Sequence, residues 1–341
     1  MGYEDAKRTM DFSSRPILVF WETTRACPLA CVHCRASAIT EPLPGELTKE
    51  DGFDLIEQVA SFGRPSPTVV LTGGDPLMRS DLFDLASYAS KAGVQFAVSS
   101  AVTGLLTDAT LDRIRSVGAS SISVSLDGAC QETHDSIRGV EGTFDRTMER
   151  IKAATELGIS VQVNTAIMKS NFRELPQIFH LIRNMGVNIW ELFFLVKVGR
   201  GSAVDDLAPE EYESVCNLLY DASHYGMTIR CVEAPFIRRV VSERNEKGDY
   251  WQHETYHALK RDFVRMNGGP SGGSSLRPKG TLDGDGIVFV GYDGAIYPGG
   301  FLPVRVGNVK EDGLVRTYRE SDLMRRIRGR VLKGPCGTCG F

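Results

Sequence analysis

Residues 17–34 read Ile-Leu-Val-Phe-Trp-Glu-Thr-Thr-Arg-Ala-Cys-Pro-Leu-Ala-Cys-Val-His-Cys. The first five are apolar, which is typical of a strand buried on both faces, and we predict a strand over Ile17–Glu22. Three cysteines, Cys27, Cys31 and Cys34, follow this strand within eight residues. Parallel sheets carry their chemistry at the carboxyl ends of the strands, so this stretch predicts both the fold and the place of the site.

The same alternation of strand and helix continues to residue 226. Apolar, strand-length runs alternate with segments of helical periodicity, giving six strand–helix units and hence an α/β fold with a parallel sheet. We predict a partial (β/α)6 TIM-like barrel over residues 17–226, with an open doubly wound sheet as the alternative. The predicted strands after the first are Thr68–Thr72, Gln95–Ser99, Ser121–Leu126, Ser160–Met168 and Asn188–Val196.

The pattern changes on either side of this barrel. Residues 1–16 form an N-terminal segment, and residues 227–285 form a helical connector whose glycine-rich stretch, 267–275, is either a linker or a lid; composition favours the linker. Residues 286–341 form a small extension. In it, Ile287–Val290 and Ala295–Tyr297 flank Asp293-Gly294, which predicts a β-hairpin.

Composition excludes several classes of protein. The 341 residues are 42% hydrophobic, which excludes a disordered chain, and 39 basic against 43 acidic residues argues against a nucleic-acid partner. No apolar run approaches the length of a membrane helix and no secretory signal is visible, so we expect a cytoplasmic protein without a membrane partner. In that reducing compartment, clustered cysteines indicate metal binding or catalysis.

The spacing C-x3-C-x2-C favours an iron–sulfur cluster. Cubane clusters take four cysteine thiolates, so three close ligands leave one iron open to a group that the protein does not supply. The alternative is a zinc site with His33 as the fourth ligand. The crowding of Cys31, His33 and Cys34 disfavours it, because zinc ligands usually come in two separated pairs.

Cys27-Pro-Leu-Ala-Cys31-Val-His-Cys34 resembles the motif of the radical S-adenosylmethionine (SAM) superfamily. Leu71-Thr-Gly-Gly-Asp-Pro-Leu77, Ser125-Leu-Asp-Gly128 and Asn164 strengthen the resemblance. It implies that the three cysteines bind a [4Fe–4S] cluster and that the methionine end of SAM chelates the open iron. It also implies a 5′-deoxyadenosyl radical that abstracts hydrogen from a small-molecule substrate, and a reductant such as flavodoxin or ferredoxin.

The resemblance assigns further residues to SAM. His33 takes the position that packs near adenine, and Gly73 and Gly74 let the backbone approach SAM closely. Asp75 and Pro76 stand where the family usually has Glu-Pro, and the carboxylate is expected to pair with the methionine ammonium. Gly-Gly-Asp-Pro is also a good turn sequence, which is the alternative.

Residues at the ends of later strands complete the expected SAM site. Ser99 ends the third strand, where many relatives carry Thr-Asn-Gly, and Ser125 is expected to contact the ribose or the carboxylate. Asp127 either caps a turn or faces the cofactor. Arg138 resembles an arginine that pairs with the SAM carboxylate, with a surface salt bridge as the alternative. Asn164 needs a partner among apolar neighbours, and ribose is a natural one.

The C-terminal extension resembles a reduced SPASM or twitch domain. Cys336 and Cys339 form C-x2-C, a possible ligand pair for a second iron–sulfur cluster, with help from Cys231 or Cys216. A vestigial pair or a zinc knuckle is the alternative. Gly299 stands where many relatives carry cysteine and the sequence ends two residues after Cys339, so a complete two-cluster domain is not expected.

Four charged residues are candidates for substrate contacts. Lys197 and Arg200 follow the sixth strand, where a cation could hold a substrate carboxylate; a solvated loop is the alternative. Glu22 and Glu191 lie in or near strands. Each could anchor a hydroxyl, donate a proton or complete an ion pair, and we rank the anchor first.

The leading functional prediction is radical chemistry on a small carboxylated molecule. Size, barrel and extension resemble cytosylglucuronate decarboxylases of antibiotic biosynthesis, which implies decarboxylation of a sugar-acid nucleoside. The alternatives are dehydration of a sugar diol, decarboxylation of porphyrin propionates, and peptide maturation. We disfavour the last, since only about sixteen residues precede the first strand. A zinc-binding interaction protein is the non-enzymatic alternative.

Overall fold

One sheet of eleven strands organises the part of the chain that the computed structural model describes, residues 12–276, 281–330 and 332–338. In chain order the strands are β1 (Leu18–Glu22), β2 (Thr68–Thr72), β3 (Phe96–Ser99), β4 (Ile122–Ser125), β5 (Val161–Ile167), β6 (Ile189–Phe194), β7 (Thr228–Val232), β8 (Leu282–Asp283), β9 (Gly286–Val290), β10 (Ala295–Tyr297) and β11 (Gly307–Asn308).

The strands β1 to β7 pair in sequence order, each parallel to the next. Strand β9 pairs parallel to β1 on its other side, and β10 and β11 continue the sheet antiparallel. Within the described residues the sheet runs from β11 to β7 without closing. This confirms the predicted α/β partial barrel and the predicted hairpin, here β9 and β10.

Helices follow most of the barrel strands in the described part of the chain. They are α1 (Lys49–Ala60), α2 (Leu82–Lys91), α3 (Asp108–Ser116), α4 (Gln131–Arg138), α5 (Thr143–Glu156), α6 (Leu175–Asn184), α7 (Pro209–Ala222), α8 (Ile237–Lys247), α9 (Glu254–Asn267), α10 (Leu314–Glu320), α11 (Asp322–Arg328) and α12 (Pro335–Thr338). Helix α1 begins with a capping box between Thr48 and Asp51. No helix in the described part of the chain is long and apolar enough to span a membrane.

Alternation along the strands separates the two faces of the sheet. In β5, Val161 and Val163 are fully buried, whereas Gln162 and Asn164, which alternate with them, are only half-buried. Successive side chains of a strand point to opposite faces, so the valines face the helices and the polar pair faces the barrel interior. Burying a valine contributes about 1.5–3 kcal/mol. The apolar outer face therefore holds the barrel together and leaves its interior available for polar chemistry.

The glycine-rich stretch lies at the amino end of β7. The backbone N–H groups of Ser271 and Gly272 donate to the carbonyl of His224, and that of Ser275 donates to the carbonyl of Ser223. Both acceptors precede β7, at the end of the barrel away from the strand carboxyl ends. This placement favours the linker over the lid. The divisions at residues 226 and 285 stay predictions.

Candidate functional site

The cysteine loop, residues 23–39, leaves the carboxyl end of β1 and is fixed by backbone hydrogen bonds. The N–H of Cys27 donates to the carbonyl of Ile39 at 2.7 Å and closes the loop on itself. The end of α4 holds its middle, because Ala30 N donates to the Arg138 carbonyl at 3.2 Å and Val32 N to that of Ile137 at 2.9 Å. The loop therefore has a defined shape that its own backbone and α4 impose.

The turn after β2 packs directly against the same loop. Gly74 N donates to Thr24 O, and Asp75 N donates to Ala26 O, both at 2.8 Å. A Cβ atom at Gly73, whose φ is +154°, would strike the backbone of Thr24, and one at Gly74 would strike that of Ala26. Only glycine permits this approach, which gives the Gly-Gly pair a structural reason beside its proposed contact with SAM.

A cavity of about 270 Å³ opens where the strands end. Cys27, Cys31 and Cys34 all line it. The side chains or backbone of many other predicted site residues meet them there: His33, Gly73, Gly74, Ser125, Asp127, Arg138, Asn164 and Arg200. The fold therefore brings three cysteines and most of the expected SAM contacts into one space.

The three thiols suit an iron–sulfur cube. Burial raises the pKa of Cys27 to about 11, and burial likewise raises the pKa of Cys31 although Arg138 opposes it. Backbone N–H groups point at two of the sulfurs, since Leu29 N donates to Cys27 Sγ and Ala38 N to Cys34 Sγ, each at 3.4 Å. Such donors stabilise thiolates once iron displaces the protons.

The donor set does not fit one metal ion. Among the described residues, no three His, Cys, Asp or Glu side chains are placed to hold a single ion. In a four-iron cube each thiolate binds a different iron, so its ligands need not converge on one point. The geometry therefore favours the cluster over the zinc alternative.

Two buried polar atoms at the cavity suit a polar cofactor. His33 Nδ1 and Arg200 Nη2 are buried and have no hydrogen-bond partner among the described residues. Burial lowers the pKa of His33, although the nearby carboxylate of Asp127 opposes this shift. A buried donor without a partner costs free energy, and the adenine and amino-acid parts of SAM carry acceptors that would satisfy both atoms.

Asp127 and Arg138 form a buried ion pair at the cavity. Arg138 Nη1 donates to Asp127 Oδ2 at 3.0 Å, and Ala166 N donates to the other carboxylate oxygen at 2.8 Å. Burial raises the pKa of Asp127, but His33 and Arg138 outweigh that effect and leave it below its usual range. The pair is buried, so the surface salt bridge considered for Arg138 is wrong.

Asp75 points away from the cavity. Its carboxylate is fully buried and accepts hydrogen bonds from Thr103 Oγ1 at 2.8 Å, Ser100 Oγ at 3.4 Å and Leu77 N at 3.2 Å. The expected ion pair with the methionine ammonium is therefore corrected, because these donors hold the short side chain inside the turn. The next residue, Pro76, is buried and begins a 3-10 turn.

Ser99 also lies outside the cavity lining. It is the last residue of β3, and Ala101 lines the cavity in its place. The strand end therefore contributes backbone and a methyl group rather than the predicted hydroxyl.

Arg200 braces the cysteine loop. Its Nε donates to Cys31 O at 2.8 Å, its Nη1 to Ala38 O at 3.0 Å, and its backbone N–H to Cys34 O at 3.1 Å. The predicted role as a free clamp for a substrate carboxylate is corrected, since loop carbonyls occupy two of its three nitrogens. Lys197 is exposed and outside the cavity lining, which matches the solvated-loop alternative.

The two predicted glutamates have protein partners. Glu22 is buried and accepts a hydrogen bond from Arg35 Nη2 at 2.8 Å. Glu191 accepts one from Gln162 Nε2 at 2.8 Å and lies 3.9 Å from Arg230; burial raises its pKa. Neither carboxylate lines the cavity. Their placement favours the ion-pair alternative over the hydroxyl anchor that we ranked first.

Several residues with no predicted role also line the cavity, among them Arg35, Phe193 and Phe301. Arg35 follows Cys34 directly, so adjacency to the motif was an available signal. Phe301 comes from the turn after β10, and nothing in its local sequence indicates that the extension reaches the barrel mouth.

The expected second cluster stays a prediction. Cys339 and the side chain of Cys336 lie outside the described residues. Cys216 and Cys231 are packed in the apolar core of α7 and β7, where burial raises both pKa values, that of Cys231 to about 12. Burial in that core removes these two from the proposed ligand set.

Comparison with known proteins agrees with this geometry. The family model of the Radical SAM superfamily matches residues 21–182. AdoMet-dependent heme synthase of Methanosarcina barkeri is 32% identical over 96% of this chain and 90% of its own length. Fe-coproporphyrin III synthase of the same organism is 34% identical over 95% and 80%. The solved structure of native anSMEcpe with bound AdoMet aligns at a TM-score of 0.67, with 15% identity, over 95% and 86%.

Proposed function

The chain belongs to the radical SAM superfamily and uses a [4Fe–4S] cluster and SAM, and from that premise we propose that it decarboxylates the propionate side chains of an iron-porphyrin. The observation that carries the proposal is similarity to a heme synthase along 96% of this chain. The similarity to an Fe-coproporphyrin III synthase supports the same class of substrate.

The residues of the chain have distinct proposed roles. Cys27, Cys31 and Cys34 hold the cluster, and the groups around His33 and Arg138 hold SAM. When bound, the cluster and SAM supply a 5′-deoxyadenosyl radical that abstracts hydrogen from the substrate. The partly apolar cavity keeps water from the reacting carbon. A low-potential reductant such as flavodoxin or ferredoxin delivers the electron for SAM cleavage.

The proposed conversion balances for each propionate. The side chain loses one hydrogen atom to the radical, its carboxylate as CO2, and one electron, which leaves a vinyl group. The electron passes to a one-electron acceptor, an iron–sulfur or flavin centre. No external proton donor is required at the departing carboxylate.

The cavity walls support a flat, carboxylated substrate. Phe193 and Phe301 offer aromatic surface, and Arg35 offers a guanidinium beside them. Aromatic rings stack on conjugated ring systems, and guanidinium groups bind carboxylates. A sugar-acid nucleoside could use both the cation and, through its base, the rings, so the preference for the porphyrin rests on the similarity to the heme and Fe-coproporphyrin III synthases.

Anaerobic turnover tests this proposal. The reconstituted enzyme is incubated with SAM, a reductant and iron-coproporphyrin III, and the porphyrin is analysed by mass spectrometry. We expect a mass decrease equal to CO2 plus two hydrogen atoms for each propionate converted, together with 5′-deoxyadenosine. An unchanged porphyrin beside continued 5′-deoxyadenosine formation would reject the substrate and keep the enzyme class. A parallel reaction with a uronic-acid nucleoside tests the alternative.

A further inference from the structure

We infer that Arg35 forms a carboxylate-binding subsite between the cysteine loop and the C-terminal hairpin. The inference rests on the proposed function and deepens it, because it names the group that recognises the propionate. Arg35 follows a cluster ligand, Cys34, and lines the cavity. A carboxylate bound there is held next to the place where the radical forms.

The guanidinium of Arg35 is fixed in place by two contacts. Its Nη2 donates to Oε1 of the buried Glu22 at 2.8 Å. Its Cζ lies 4.7 Å from the centroid of the Phe289 ring in β9. One contact comes from the first strand and the other from the hairpin. The side chain is therefore preorganised, which lowers the entropy cost of binding a ligand.

The same guanidinium keeps donors available for a ligand. No described residue accepts a hydrogen bond from its Nε or Nη1, and the side chain is 27% exposed. Gly300 packs beside it, since a Cβ atom there would lie 3.7 Å from Nε. The absence of a side chain at Gly300 leaves that edge of the guanidinium open.

Comparison of the cavity arginines singles out Arg35. Arg200 donates to the carbonyls of Cys31 and Ala38. Arg138 and Arg35 are each paired with one carboxylate and each keep two nitrogens without an acceptor among the described residues, but the side chain of Arg138 is only 7% exposed, whereas that of Arg35 is 27% exposed. A guanidinium binds carboxylates through charge-assisted N–H donors, and the Nε and Nη1 of Arg35 keep such donors for a ligand.

Porphyrin titration tests the subsite without turnover. Iron-coproporphyrin III and its tetramethyl ester are titrated into anaerobic, cluster-loaded enzyme, and the Soret band reports binding. We expect Arg35→Gln to weaken binding of the free acid by about 10- to 100-fold, as for loss of a charge-assisted hydrogen bond. The affinity of Arg35→Lys for the free acid should lie between those of the wild type and Arg35→Gln, since lysine keeps the charge but lacks the planar guanidinium. The ester should bind all variants alike.

Arg113→Gln is the matched control. Arg113 is an exposed residue of α3 whose Cζ lies 3.8 Å from the centroid of Phe83, so it has the same arginine–phenylalanine packing away from the cavity. This variant should bind the porphyrin as the wild type does. In Arg35→Lys, SAM affinity and iron content should stay within about twofold of the wild-type values. If Arg35→Gln loses its cluster, the porphyrin affinity of Arg35→Lys tests the subsite in its place.

Three results would overturn the inference. Equal binding of the free acid by wild type and the Arg35 variants removes the subsite and leaves the proposed function standing. An equal loss of SAM and porphyrin affinity assigns Arg35 to the SAM site. Failure of the wild type to bind iron-coproporphyrin III rejects the proposed function, and the subsite with it.

Discussion

The cysteine loop and the hairpin wall, residues 282–301, meet at one cavity but are built differently. Within the loop, carbonyls and N–H groups are bonded to the turn after β2, to the end of α4 and to Arg200. In the wall, the described residues offer no hydrogen bond to the carboxylate of Asp283, and burial raises its pKa. That carboxylate fills the space that a side chain at Gly299 would occupy.

This difference separates two tasks. A cluster must sit in a fixed cage, and the loop supplies one through backbone contacts that leave its ligands little freedom. Recognition of a substrate requires aromatic surface and hydrogen-bond donors that the protein does not already use. The hairpin wall provides the aromatic surface, and Arg35 provides the free donors. Radical generation and substrate recognition are therefore expected to respond separately to mutation.

Replacement of Cys31 by Ala gives the largest expected effect. The variant should lose the cluster that this loop binds, so the iron content falls by about four per chain and SAM cleavage stops. Porphyrin binding should persist, since the wall and Arg35 remain. Iron analysis, 5′-deoxyadenosine assay and Soret titration measure the three quantities. Cys130→Ala is the control, because Cys130 is exposed outside the loop; continued SAM cleavage by Cys31→Ala would contradict the cluster assignment.

Replacement of Arg200 by Gln should give an intermediate effect confined to the loop. Two loop carbonyls lose their donors, and each such loss costs about 1–3 kcal/mol when the acceptor stays buried. We expect faster release of iron to a chelator and little change in porphyrin affinity. Arg115→Gln, an exposed change in α3, is the control. A fall in porphyrin affinity with normal iron retention would restore Arg200 as the substrate clamp.

Replacement of Glu233 by Gln should give the smallest effect, a change in how stability depends on pH. Glu233 lies near Asp283 of the hairpin wall. Burial and the nearby charge of Asp283 raise the pKa of Glu233 from 4.5 to about 7. The folded state then binds this proton more tightly than the unfolded state does. The free energy of unfolding therefore falls, through this group, as the pH rises from about 4.5 to 7, and Glu233 causes no further change above that range.

Urea unfolding across this pH window isolates the contribution of Glu233. The free energy of unfolding of the wild type should decline relative to that of Glu233→Gln as pH rises through the window. Parallel curves would mean that Glu233 titrates normally. Asp283→Asn sharpens the test, because removing the neighbouring charge should lower the pKa of Glu233 and reduce the slope.

Much of the site was predictable from the sequence because its signals are local. Three cysteines within eight residues form a motif that can be identified without knowing which distant residues pack against it. Ser125 ends β4, Asp127 follows it, and parallel pairing sets Asn164 of β5 opposite Ser125. The family resemblance marked these three residues and all three line the cavity, while their contacts with SAM stay a prediction.

The long charged side chains were not predictable in the same way. Arg200 and Arg35 both stand near the barrel mouth in sequence, yet one braces loop carbonyls and the other stacks on Phe289. Asp75 similarly turns toward Thr103. The partner of such a side chain depends on which distant segments pack against it, and no local pattern encodes that choice.

Sequence alone determined the alternation of strands and helices, the parallel sheet and the three-cysteine motif, since each follows from residues close together in the chain. Tertiary structure alone decided that β9 joins β1 and brings Phe289 beside Arg35. The physical reason is that strand pairing across more than 250 residues is a property of the whole packed core.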